Sequence, residues 1–137
     1  MPTRINHIGI AVHSIEEAAK FYTEKLGLKL GGTEEVESQK VKVAFLPIGE
    51  VRLELVQPTS PDSPVAKFLE KNGPGFHHVA YQVEDVTAEV ERLKADGVAM
   101  VDQTPRKGAH NTLIAFVHPK ASGGVLTELV QEAGHHD

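Results

Sequence analysis

The chain repeats itself. His7-Ile8 returns 71 residues later as His78-Val79, and at the same offset Val12 returns as Val83, Ile15 as Val86 and Ala44-Phe45 as Ala115-Phe116. Glu54-Leu55-Val56-Gln57 then recurs letter for letter as Glu128-Leu129-Val130-Gln131, with three extra residues that fit a longer hairpin between His118 and Gly124. A run of matches in one order restricts the fold to two copies of one supersecondary unit. Each copy, at roughly 55 to 60 residues, is too small to be robust alone, so the 137 residues are expected to make a single domain from two modules.

Within each copy the hydrophobic pattern spells the same order of elements. Ile5 to Val12 alternates, with Ile8, Ile10 and Val12 on one face and His7, Gly9 and Ala11 on the other, which predicts a strand with an apolar core face. Ser14 and Glu17 form a capping box, and Ile15, Ala18, Ala19, Tyr22 and Leu26 follow at helical spacing up to Gly27, predicting a helix over Ile15 to Leu26. Strands are predicted over Leu28 to Glu35, Lys40 to Pro47 and Val51 to Gln57, the last two joined by a tight Gly49-Glu50 turn. Module one, about 4–57, is therefore βαβββ. A connector over 58–75 holds a short helix opened by Ser63 and Pro64 and closed by Asn72-Gly73-Pro74. Module two, about 76–132, begins again with a strand over His77 to Val83 and a helix capped by Asp85 and closed by Gly97. Strands are expected near Val98 to Asp102, Thr112 to His118 and Gly124 to Gln131.

Composition removes several function classes. A net charge of −5 offers no basic field for nucleic acid or an anionic membrane surface. No stretch approaches the about 20 apolar residues that span a bilayer, and the first residues lack the apolar run of a signal peptide. The absence of cysteine excludes disulfides, thiolate metal ligands and cysteine nucleophiles. The expectation is a soluble, cytoplasmic protein with no nucleic-acid or membrane partner.

The repeat gives each module one histidine on its first strand and one glutamate on its last. If the modules are related by an approximate two-fold rotation, His7, Glu54, His78 and Glu128 converge on one axis. Two imidazoles and two carboxylates suit a divalent ion that takes nitrogen and oxygen together, namely Mn²⁺, Co²⁺, Ni²⁺, Fe²⁺ or Zn²⁺. Four protein ligands on an octahedral ion leave two positions for water or substrate. A lone strand histidine is more often packed than ligating, and a glutamate between Leu53 and Leu55 fits a solvent-facing position, so the weight rests on the recurrence. The repeat selects His78 over His77, because Val79, like Ile8, falls on the core face. His13, His110 and His118 sit at element ends and His135 and His136 in a polar tail, where exposure is the simpler account.

Paired βαβββ modules with this His and Glu placement resemble the vicinal oxygen chelate superfamily, and within it the methylmalonyl-CoA epimerases. The resemblance is carried by Ile5-Asn6-His7-Ile8-Gly9-Ile10-Ala11-Val12, by Asp62-Ser63-Pro64-Val65-Ala66-Lys67-Phe68-Leu69, by Gly75-Phe76-His77-His78-Val79-Ala80, and by the hairpin His118-Pro119-Lys120 through Glu128-Leu129. It implies an α+β fold in which two tandem βαβββ modules form a curved mixed sheet around a central metal cleft. It also implies an isomerase that interconverts the C2 epimers of methylmalonyl-CoA. That reaction needs an electrophile for the enolate oxygen and acid/base groups on both faces of C2.

By resemblance Glu128 is a metal ligand that also exchanges a proton with C2. Some relatives carry a second glutamate on the third strand of the first module. The matching position here reads as Lys42, whose strand parity with Ala44 points it into the cleft if that face lines it. A desolvated lysine can act as a base, and equally it can pair with a carboxylate or reach solvent. Glu37 and Glu50 are the acidic alternatives. Arg106 and Lys107, in the short basic loop Pro105 to His110, and Lys120 are candidates for the phosphates of an acyl-CoA, though a solvated loop has the same composition. Similar proteins are commonly homodimers, and Phe21 could serve either such an interface or a monomer core. Two other readings share the fold: a glyoxalase-type isomerase acting on a hemithioacetal, and a non-enzymatic binding protein that needs no metal. A dioxygenase would use two histidines and one carboxylate, and the fourth ligand counts against it.

Overall fold

The computed structural model of the protein describes residues 1–132. They fall into two compact units, one formed by His7–His77, the other by Met1–Asn6 together with the chain from His78 onward. The first unit contains most of strand β1 (Arg4–Ala11), helix α1 (Ile15–Lys20), strands β2 (Gly32–Val36), β3 (Val41–Ile48) and β4 (Val51–Pro58), and helix α2 (Pro64–Asn72). Its strands are ordered β2-β3-β4-β1, antiparallel except for the parallel β1–β4 pair. The second unit contains most of β5 (Gly75–Gln82), α3 (Val86–Ala95), β6 (Arg106–Lys107), β7 (Leu113–Val117) and β8 (Thr127–Gln131). Its order is β6-β7-β8-β5, again with one parallel pair, β5–β8. Each unit is thus a βαβββ module with a mixed four-stranded sheet.

The local signals act as expected. Ser14 Oγ accepts from Glu17 N–H at 3.2 Å, Asp85 Oδ1 from Ala88 N–H at 3.1 Å, and Ser63 Oγ from Val65 N–H at 3.2 Å, so all three helices are side-chain capped. The repeat extends to a second kind of cap. Gln57 Oε1 accepts from Ile15 N–H at 2.8 Å, and Gln131 Oε1 accepts from Val86 N–H at 2.9 Å. The final letter of the repeated Glu-Leu-Val-Gln therefore ties each module's last strand to the first turn of its helix. Gly49, at φ +58°, makes the two-residue turn that sets Ile48 opposite Val51 and fixes the β3–β4 register.

Each unit has its own apolar core on the helix-bearing face of its sheet. In the first, Val12, Ile15, Ala19, Ala44, Leu46 and Leu55 pack together. In the second, Val83, Val86, Val90, Met100, Ala115, Val117 and Leu129 do so.

Three expectations about elements need correction. The last turn of the first helix is a π-turn over Phe21–Lys25, closed by Leu26 N–H on the Phe21 carbonyl at 3.1 Å. Leu28 to Gly31 lie outside β2, because Leu28 bonds back to Tyr22 and packs on the α1 core. The segment Val98 to Asp102 makes only an isolated bridge, Met100 to Val117, and the edge strand of module two is β6 instead. No helix among the described residues is long and apolar enough to cross a membrane.

Candidate metal centre

In the first unit the parallel β1–β4 register sets Gly9 beside Glu54 and His7 beside Arg52. Alternation then projects His7 and Glu54 from the same face, the one that α1 does not cover. His7 Nδ1 lies 3.3 Å from Glu54 Oε2, with both side chains 6% exposed. Arg52 Nε approaches the same oxygen at 3.5 Å, and its guanidinium lies 5.8 Å from the centre of the Phe45 ring. Because Phe45 is directly opposite Glu54, the carboxylate is flanked by an imidazole, a guanidinium and an aromatic ring.

The second unit rebuilds this arrangement from the other copy of the motif. Ala80 is beside Glu128, Phe116 is opposite Glu128, and His78 Nε2 lies 3.0 Å from Glu128 Oε1. The His78 and Phe116 rings meet edge to face at 5.6 Å. A guanidinium again stands over the phenylalanine, here Arg106 at 5.7 Å, but it comes from β6 and is held by Asp102 at 3.1 Å. Asp102 in turn accepts the backbone N–H of Phe116. Arg52 is the polar neighbour that the sequence reading missed. Its signal was parity, two residues before Glu54 on the same strand face.

The remaining candidates are placed as follows. Lys42 lies opposite Gln57, while Glu54 lies opposite Phe45, so Lys42 is on the face of Ala44 and Leu46 that α1 packs against. It does not point toward the His7–Glu54 pair, and its cross-strand neighbour is Glu35. The parity with Ala44 was right, but Ala44 belongs to the helix side. Glu37 and Glu50 are exposed in turns. Arg106 is partly buried against Phe116, whereas Lys107 and Lys120 are exposed. His118 caps the turn over Pro119–Ala121 by accepting Lys120 N–H on Nδ1, and His13 and His110 are exposed. His135 and His136 lie outside the described residues.

Both pairs fit a divalent cation by the chemistry of their donors. Removing a carboxylate from water is costly unless a positive charge or several hydrogen bonds compensate it. The protein does this twice, at repeat-equivalent positions, each time beside an imidazole, the commonest metal ligand of the side chains. Mixed imidazole and carboxylate donors suit borderline first-row ions.

The sequence profile of the Glyoxalase/Bleomycin resistance protein/Dioxygenase superfamily matches residues 6–116. The chain belongs to this superfamily. Within it, the chain is 40% identical to an ethylmalonyl-CoA/methylmalonyl-CoA epimerase of Cereibacter sphaeroides, over 93% of this chain and 97% of that protein. It is 46% identical to an uncharacterized protein of Bacillus subtilis, over 96% and 94% of the two chains. It also superposes with a TM-score of 0.94 at 41% identity on a methylmalonyl-CoA epimerase solved in complex with methylmalonyl-CoA and NH₄⁺, covering 98% and 97% of the two chains. The vicinal oxygen chelate fold that the resemblance implied is the fold of these relatives.

Proposed function

We propose that this chain is a divalent-metal-dependent epimerase that interconverts (2R)- and (2S)-methylmalonyl-CoA by proton transfer at C2. The observation that carries the reading is the pair of matched, buried His–Glu couples, His7–Glu54 and His78–Glu128, in a chain so similar to an epimerase solved with that substrate.

All four side chains are assigned to one ion. His7, His78 and Glu128 each offer a buried donor atom, and Glu54 is as deeply buried. Connectivity supports a shared site. The chain passes between the two units at Asn6–His7 in β1 and at His77–His78 in β5, so each histidine is joined by its own peptide bond to the unit that holds the other couple. When bound, the ion supplies a Lewis acid for the negative charge that develops on the thioester oxygen. The protein's own groups do the rest.

Glu128 takes or returns the C2 proton on one face. The Phe45 and Phe116 rings beside the two carboxylates keep the reacting region poor in water, which strengthens electrostatic interactions there. Exposed Lys107 and Lys120, with Arg106, are assigned to the anionic groups of the acyl-CoA. Phe21, 54% exposed, is assigned to contact with a second copy in a homodimer. The chain works as a single domain over residues 1–137.

An NMR assay in D₂O with methylmalonyl-CoA, run with and without Co²⁺, tests substrate, metal and chemistry together. The Co²⁺ form should exchange and invert C2, and Glu128→Ala should lose inversion. Exchange at the wild-type rate in that variant refutes the role of Glu128. Turnover of a hemithioacetal without C2 exchange would point to the glyoxalase-type reading instead.

A further inference from the structure

Both modules set a guanidinium over the phenylalanine opposite the buried glutamate, but they hold it by different means. Arg52 approaches Glu54 itself, whereas Arg106 is paired with Asp102, a carboxylate outside the His78–Glu128 couple. At the 71-residue offset Asp102 answers to Gly31. The N–H of Gly31 bonds to the Phe45 carbonyl at 2.6 Å and that of Asp102 to the Phe116 carbonyl at 3.3 Å, so the two positions match in the backbone and differ in the side chain. Arg106, opposite Ile114, likewise answers to Glu34, opposite Val43. The Asp102–Arg106 pair is thus a feature of module two alone.

We infer that Asp102 is a positioning residue that holds Arg106 to bind an oxyanion of the acyl-CoA beside the His78–Glu128 couple, a role that rests on the epimerase reading above. Asp102 uses both carboxylate oxygens. Oδ2 accepts the Phe116 N–H at 2.8 Å, and Oδ1 lies 3.1 Å from Arg106 Nε. Strand β6 pairs with β7 only at Leu113 and Ile114, so at Phe116 the Asp102 side chain stands in for a strand partner. The Nε end of the guanidinium is thereby tied to the backbone of the residue opposite Glu128. Its centre lies 5.7 Å from the Phe116 ring, and the same ring meets the His78 imidazole at 5.6 Å. Arg106, Phe116 and Glu128 share the sheet face that α3 does not cover, and 31% of the Arg106 side chain is exposed to a ligand. A guanidinium presents a planar fork of donors that matches a carboxylate or a phosphate. Fixing that fork beforehand removes the ordering cost that a mobile side chain meets on binding.

The test is a double-mutant cycle. Asp102→Asn keeps an oxygen for the Phe116 N–H and removes the charge that holds Arg106, while Arg106→Met removes the oxyanion-binding group. In the Co²⁺-loaded enzyme, KM for methylmalonyl-CoA should rise about threefold to tenfold in Asp102→Asn, the ordering cost of one long side chain, with kcat and Co²⁺ affinity within about twofold. It should rise about tenfold or more in Arg106→Met, the weight of a hydrogen bond to a charged group, and Asp102→Asn should add nothing in that background. Titration calorimetry with three ligands identifies the oxyanion. If it is the acyl carboxylate, Asp102→Asn weakens methylmalonyl-CoA and the N-acetylcysteamine thioester of methylmalonate alike and spares propionyl-CoA. If it is a phosphate, the variant weakens both CoA esters and spares the N-acetylcysteamine thioester. Either pattern supports the assignment. A KM within about twofold of wild type in Asp102→Asn overturns it, as do additive effects in the double variant or equal weakening of all three ligands. So does a parallel loss of Co²⁺ affinity, the mark of a disturbed Phe116 and a merely structural Asp102. Absence of C2 exchange in the Co²⁺-loaded wild type brings down the epimerase reading itself, whereas wild-type exchange with an unmoved KM in Asp102→Asn brings down the role of Asp102 alone.

Discussion

Loading chelator-stripped protein with Co²⁺ should raise its melting temperature by an amount set by the ratio of free Co²⁺ to Kd. Anything that binds only the folded state stabilises by RT ln(1 + [L]/Kd), which is about 2.7 kcal/mol at a hundredfold excess over Kd. An unfolding entropy of about 2.1 cal/mol/K per residue over 137 residues comes to about 0.29 kcal/mol/K, so the shift should be about 9 °C. If the proposed ligand set is right, donors come from both modules, and truncating one should act twice. In His78→Ala the Glu128 carboxylate loses the imidazole 3.0 Å away inside a buried site, costing about 1–3 kcal/mol and lowering the metal-free melting temperature by about 3–10 °C. The same variant should lose most of the Co²⁺ shift. The assay is scanning calorimetry after titration calorimetry has fixed Kd. A double variant, His135→Ala with His136→Ala, shows whether the tail histidines bind the ion, and it should keep the full shift. A wild-type melting temperature unmoved by saturating Co²⁺, or an equal shift in His78→Ala, refutes the shared four-ligand site.

The twin helix caps predict twin losses. Gln57→Leu and Gln131→Leu each remove the acceptor for a helix's first N–H and should each cost about 1 kcal/mol, or about 3 °C, adding in the double variant because they share no partners. A loss confined to one of them would show that the caps are not equivalent. Asp62 should titrate near 2, because hydrogen bonds from Lys40 and Ser60 hold its carboxyl below the usual value of 3.8. A carboxyl depressed in the folded state contributes stability above its unfolded pKa and loses it as pH falls, so the contribution fades between about 3.8 and about 2. Carboxyl NMR should show the Asp62 midpoint rising in Lys40→Met, and an unchanged midpoint would exclude Lys40 as the main cause.

The sequence carried the module order because the signals for it are local. Ser14, Ser63 and Asp85 cap the helices they were expected to cap, and the repeated Glu-Leu-Val-Gln falls on the parallel-paired last strand of each unit. Faces were harder, since parity states which residues agree with one another and not which side is inner. Lys42 shows both the error and its remedy. A two-residue turn at Gly49-Glu50 pairs Ile48 with Val51, and counting back puts Phe45 opposite Glu54 and Lys42 opposite Gln57. The information was in the turn. The edge strand of module two was misplaced for a different reason. Val98 to Asp102 has the apolar content of a strand, but Lys94 to Gly97 close α3 directly before it, and its backbone bonds only around the C-terminal end of β7. The 71-residue offset applied to β2 leads to 103–107, the stretch that ends in β6.

Where the two copies differ is as informative as where they agree. They agree at His7 and His78, Glu54 and Glu128, Gln57 and Gln131, and Phe45 and Phe116, which in both modules form a buried His–Glu couple, cap a helix or lie opposite the buried carboxylate. They differ elsewhere on the face that carries the His–Glu couples. Arg52 corresponds to Leu126, and Glu34, opposite Val43, corresponds to Arg106, opposite Ile114. A metal site of two imidazoles and two carboxylates can be two-fold symmetric, but the proposed substrate cannot, since a CoA chain leaves one end of the malonyl unit and a free carboxylate the other. Groups that tell its two ends apart must therefore come from positions where the repeat has diverged. On that ground Arg52→Leu, which makes module one resemble module two at this position, should leave the Co²⁺ affinity within a few-fold and raise KM for the acyl-CoA. A parallel loss of metal binding would instead show that Arg52 serves only to hold Glu54.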